Sequence, residues 1–218
     1  FAVGGLSTGK TTPQNFMLLT PENYLIGHEA GMSIETGLFN SFMGYQAGKS
    51  TTGGSKNVFL GYETGKIDTL GNENIFIGYR TGAECSSGNW NTFLGVEAGL
   101  KNTGSNNTFI GYLAGNLHQS TGSNVYIGSR AGEQATQGEQ NVYIGESSGT
   151  KTSTGKKNVF IGYQTGLNTT TGESNVFIGD QAGYTNQVGN FNVFLGFNAG
   201  YANLNSYNTF LGFQAGKT

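Results

Sequence analysis

The chain has 218 residues, enough for one domain or a small pair, with 38 Gly, 2 Pro, 11 basic and 13 acidic residues and a net charge of −2. A strong nucleic-acid binder needs a Lys/Arg stripe that neutralises phosphates, and these few basic residues are spread along the whole chain, so no nucleic-acid partner is expected. Low net charge with 15 Phe and 11 Tyr argues against disorder, no apolar run is long enough to span a bilayer, and the single Cys85 cannot form an internal disulfide. With two His and no CxxC, there is no metal cluster and no cofactor to propose.

The chain begins at Phe1 without a signal-peptide core and reads as a piece of something longer. In residues 1–22, Pro13 and Pro21 flank the strand-like run Gln14-Asn15-Phe16-Met17-Leu18-Leu19-Thr20. That segment is expected to be an entry segment or cap closing the first coil of a repeat domain.

Residues 23–218 are that repeat domain. Each copy reads Asn, a variable residue, an aromatic in most copies, Leu or Ile in most copies, Gly, two variable residues, a small residue, Gly; Asn57-Val58-Phe59-Leu60-Gly61 is typical. The central Gly recurs twelve times from Gly27 to Gly212, in steps of 17 residues except for two of 16. The motif Asn, from Asn23 to Asn208, and the second Gly, from Gly31 to Gly216, are in every copy.

A unit this short cannot hold a helix pair, and no segment has apolar residues at helical spacing, which leaves short strands. In Asn158-Val159-Phe160-Ile161-Gly162 the period-2 rule puts Val159 and Ile161 on one face and Asn158 and Phe160 on the other. The Gly-rich and Thr-rich segments between strands are turns. A strand that turns, returns and repeats at constant period winds as an all-β parallel β-solenoid of about twelve 17-residue coils.

Stacked Asn side chains are expected to form amide ladders that satisfy turn carbonyls, a structural role rather than a ligand-binding one. Both strand faces are apolar, and one coil cannot enclose both. The stripe from Phe42 to Phe210 is therefore expected to face outward and to need cover, most simply by further copies of the chain.

Two further columns stand out. The residue before the motif Asn is usually polar, but Phe39, Trp90, Phe191 and Tyr207 place aromatics there. They are the candidate ligand-binding residues, since flat exposed rings suit sugars or partner surfaces; the competing reading is that they cover a neighbouring coil or chain. The residue after the central Gly is aromatic at Tyr45, Tyr62, Tyr79, Tyr112, Tyr163, Phe197 and Phe213 but polar or small at Val96, Ser129, Glu146 and Asp180, as a partly exposed column would tolerate.

No catalytic residues are proposed. His28 and His118 lack an orienting partner in sequence and read as surface residues. The column Glu29, Glu63, Arg80 and Glu97 is sparse. Leu94-Gly95-Val96-Glu97-Ala98-Gly99 fits the hexad of solenoid acyltransferases, but only one hexad occurs per coil. No calcium repeat is present, and Thr at the first strand position occurs only at Thr92, Thr108 and Thr209, too few for an ice-binding array.

Over residues 23–218 the Asn-x-Phe-Leu/Ile-Gly-x-x-Ala-Gly repeat with Thr-Gly-x-Asn linkers resembles the trimeric β-roll heads of YadA-like autotransporter adhesins. It is more similar still to shafts of phage-type tail fibres and bacterial surface fibres matured by a C-terminal chaperone, including the mosaic adhesive trimers of predatory bacteria. The resemblance implies left-handed β-rolls in a parallel homotrimer, located extracellularly on a bacterial surface or a phage-like tail, attaching to glycan or protein by multivalent contacts. Its alternatives are a purely structural shaft or a solenoid enzyme with an inter-chain site. The period is longer than that of the adhesin heads, and an aromatic stands where their repeat has a small residue, which alters packing at the trimer axis. No chaperone domain follows Thr218 in this chain.

Overall fold

The computed structural model describes residues 2–4, 15–119 and 122–217, with side chains from Phe16 onward. Its single 14-stranded sheet has the strands in sequence order. β1 (Ala2–Gly4) pairs antiparallel with β2 (Asn15–Leu19), and β2 pairs antiparallel with β3 (Tyr24–Ile26). From β3 onward every neighbour is parallel: β4 (Ser41–Met43), β5 (Val58–Leu60), β6 (Ile75–Ile77), β7 (Thr92–Leu94), β8 (Thr108–Ile110), β9 (Val125–Ile127), β10 (Val142–Ile144), β11 (Val159–Ile161), β12 (Val176–Ile178), β13 (Val193–Leu195) and β14 (Thr209–Leu211).

The chain is thus a parallel β-solenoid, as the repeat predicts, with about eleven turns rather than the expected twelve coils, because the twelve parallel strands β3 to β14 are joined by eleven steps. Register is fixed motif on motif: Val159 pairs with Val176, Phe160 with Phe177 and Ile161 with Ile178. At one strand spacing per turn the rod is about 53 Å long. The three-residue strands understate the pairing, because the turn segments are laddered too. Gly48 N–H donates to Thr64 O at 2.9 Å and Ser50 N–H to Lys66 O at 3.0 Å, so the folded-back wall is hydrogen-bonded coil to coil like the strands.

The motif Asn does what stacking predicts. Asn158 N–H donates to Asn141 Oδ1 at 2.9 Å, its Nδ2 donates to the Gly172 carbonyl at 2.8 Å, and its Oδ1 accepts from Asn175 N–H at 3.0 Å. The Asn158 amide therefore satisfies two backbone groups of the next coil, and its own backbone N–H is satisfied by the amide of the coil before.

The aromatic column corrects the sequence expectation. The rings from Phe42 to Phe194 are 0–1% exposed and stack one on the next with centroids 4.6–4.9 Å apart and planes within 9°. They fill the coil interior, and the aliphatic face is the one turned out.

Two glycines and a small residue make room for them. Gly166, at φ +59°, lies so close to the Phe160 ring that a Cβ there would sit 2.5 Å from Cε2. At Gly162, φ +134°, a Cβ would lie 2.8 Å from the carbonyl oxygen of Gly179 on the next coil. The small residues Ala47, Thr64, Ala98 and Ala114 are fully buried beside the rings. The coil is only as thick as one ring layer, which is why one aromatic per coil fills it.

Candidate functional site

The four candidate aromatics lie in one column at the corner where each coil enters its strand. All are exposed, from 54% at Phe191 to 79% at Tyr207, so none is buried under a neighbouring coil. Each has φ between 56° and 63°, a left-handed conformation that turns the backbone sharply and throws the side chain outward.

The fold brings only two of them together. Phe191 and Tyr207 stack at 5.3 Å, each using one face on the other. Trp90 stands three coils from Phe39 and six from Phe191, about 14 and 29 Å along the rod. Its indole N–H donates to Glu73 Oε2 at 2.8 Å, and Glu73 Oε1 takes Lys56 Nζ at 2.9 Å. Lys56 first, then the indole, holds the Glu73 carboxyl below the usual range.

Beside this column lies the outward strand face. Its two aliphatic positions are exposed or half-buried all along the rod, as at Val58 and Leu60, Ile75 and Ile77, and Val193 and Leu195. The column after the central Gly borders them. Tyr45, Tyr62 and Tyr79 are 41–48% exposed and stack at 5.1 and 5.3 Å. His28 caps that stack on Tyr45 at 5.3 Å. The column is partly exposed, in keeping with its polar interruptions.

The acidic column is a run of ion pairs. Glu29 is tied to Lys49 at 2.7 Å, Glu63 to Lys66 at 2.8 Å, and Arg80 to Glu97 at 2.7 Å. The Lys49 hydrogen bond holds Glu29 below its ordinary range.

His118 is a second correction: it is fully buried rather than on the surface. It falls seven residues after its central Gly, on a column that also carries Asp68, Cys85 and Asn102, all buried. Its Nδ1–H donates to Ala135 O at 2.8 Å and Nε2 accepts from Asn124 Nδ2 at 3.3 Å, a neutral ring in one tautomer. Burial pulls its pKa down to about 4 and pushes that of Asp68 up to about 7, the Gly71 N–H opposing the latter. The Cys85 thiol, donating to Gly99 O at 3.3 Å, is pushed up by burial first and Asp68 second, and is therefore a poor nucleophile.

The sequence does carry a signal for this inward column: the seventh residue after each central Gly is Ile, Thr, Asp, Cys, Asn, His or Ala, with no Lys, Arg or Gly. Among the described residues no group of three His, Cys, Asp or Glu could hold a metal ion. What the geometry offers is surface: an apolar strand face and a flanking column of rings. No protein-family model matches the chain, and no curated protein or solved structure matches it significantly.

Proposed function

We propose that this chain is an adhesive or receptor-binding segment of a surface or tail fibre, built as a parallel homotrimer of left-handed rolls and attaching to cell-surface glycan or protein. The observation that carries the reading is the apolar strand face. Taken with the bordering ring column, its two aliphatic columns make a strip about 13 Å wide and about 53 Å long, roughly 700 Å² per chain, close to the ~800 Å² per partner that a stable interface needs. The occupant is a second copy, because the face repeats with the period of the rod and only a body of equal length and pitch matches it throughout. Copies standing side by side leave the Phe39, Trp90, Phe191 and Tyr207 column at the rim, where weak contacts are multiplied by the number of chains.

Native mass by light scattering on a sizing column tests this. A mass of three times 23.0 kDa is expected. A stable monomer at all concentrations would overturn it. The alternative is a purely structural shaft, and retention on cell-surface material separates the two: an assembled fibre that retains nothing is a shaft.

A further inference from the structure

Among the four exposed rings, one has the surroundings of a site. Phe191 and Tyr207 occupy each other, and Phe39 has Lys56 as its neighbour one coil on. Trp90 is flanked in its column by Glu73 on one side and the exposed Asn106 on the other, so no column neighbour stacks a ring on it. Its orientation is fixed at the N–H by Glu73, and Glu73 is neutralised by Lys56. An ordered indole loses little entropy when a ligand lies on it.

We infer that Trp90 is the platform of a saccharide site that takes a neutral pyranose. The C–H face of the sugar lies on the indole, and its hydroxyls reach the Glu73 carboxylate and the Asn106 amide. Two features select this class. The carboxylate and amide offer both acceptor and donor to hydroxyls, and the Lys56–Glu73 pair leaves no net charge to favour an ionic ligand. Adjacent amides extend the polar rim: Asn72 and Asn89 are laddered at 3.1 Å on the preceding column. This inference rests on the adhesive reading and names the ligand class for it.

Trp90 is the only tryptophan of the chain, so its fluorescence reports the site directly. The intact protein is titrated with glucose, galactose, mannose and N-acetylglucosamine and their short oligomers, well into the millimolar range. A saturable emission change with at least one sugar is expected. By calorimetry or saturation-transfer NMR, Trp90→Ala abolishes that binding, Glu73→Ala weakens it several-fold by freeing the indole, and Lys151→Ala, at an exposed turn outside the column, leaves it unchanged.

Binding that survives Trp90→Ala, or no saturable response to any sugar, overturns the site. An emission change that follows protein concentration instead of sugar also overturns it, since the ring is then a contact between chains. The mass measurement keeps the two readings apart. A trimer that binds no sugar sinks the Trp90 site alone, whereas a monomer that binds sugar at Trp90 sinks the fibre and leaves the site.

Discussion

Two aromatic ladders run the length of the same rod and differ in nearly every property except period. The inner one, Phe42 to Phe194, is continuous, closed to solvent and spaced 4.6–4.9 Å. The outer one, Tyr45 to Tyr79 and again Phe197 to Phe213, is spaced 5.1–5.4 Å and is interrupted by Ser129, Glu146 and Asp180. Stacking by itself therefore does not hold the fold together, since the outer ladder is broken without breaking the rod. What the inner ladder adds is exclusion of water and loss of every alternative packing partner.

The sharpest way to test this difference is to remove one ring from each. Phe109→Ala empties a sealed layer between Phe93 and Tyr126 and is expected to cost about 3–5 kcal/mol, while Tyr62→Ala on the outer ladder costs under about 1 kcal/mol. Urea midpoints followed by circular dichroism measure both. Equal losses would mean that stacking, not burial, carries the stability.

The second test removes the other inner column. Asn158→Ala leaves the Gly172 carbonyl and the Asn175 N–H without partners in a dry interior, for an expected loss of roughly 2–4 kcal/mol by the same assay. Asn158→Asp is the informative companion. It keeps the acceptor but loses the donor and buries a charge, so it is expected to be at least as damaging above neutral pH.

The third uses pH. Asp68 has a folded pKa of about 7, above its ordinary 3.8, so its protonated form is favoured by folding. That stabilisation is complete at acid pH and is lost as pH rises toward and through 7. His118 works the other way: with a folded pKa of about 4 against an ordinary 6.5, it supports the fold above 6.5 and withdraws that support as pH falls toward 4. The two slopes oppose each other. Asp68→Asn is therefore expected to stabilise the protein by roughly 2–4 kcal/mol at pH 8 and little at pH 4, and to expose the acid loss due to His118. Thermal melts from pH 4 to pH 8 would show this, and a variant that merely shifts all melts equally would refute it. Thr51, which donates to Asp68 O at 2.8 Å, and Cys85 are the neighbours on adjoining coils to watch in that series.

The smallest effect concerns the corners. Ser174, at φ 57°, occupies a left-handed position that glycine adopts without penalty. Ser174→Gly is expected to stabilise by no more than about 1 kcal/mol, the relief of strain being partly offset by a freer unfolded chain. A loss of stability would show that the Ser174 side chain has a packing role.

Much of this molecule is written in its period. A constant step, short alternating segments, an Asn in every copy and paired glycines are sufficient for a parallel solenoid with an amide ladder, because stacking identical coils is the one arrangement in which each residue meets its own equivalent. Those are local and repeated constraints, and a single sequence carries them in full. Alternation also establishes that Val159 and Ile161 share a face opposite Phe160.

Only the tertiary structure decides which of the two apolar faces is inside. Nothing in a strand read alone distinguishes them. The decision is made by the returning wall, where Gly166 meets the Phe160 ring and Gly162 meets the next coil, leaving a slot one aromatic layer thick that Val and Ile would underfill. The same closure buries His118, Asp68 and Cys85, whose shared place seven residues after the central Gly is periodic in sequence but acquires an inside only when the coil closes, and leaves Trp90 at an outer corner with Glu73 beneath it. Periodicity is a property of the chain, whereas inside and outside are properties of a closed surface, and the surface exists only once the coil has closed.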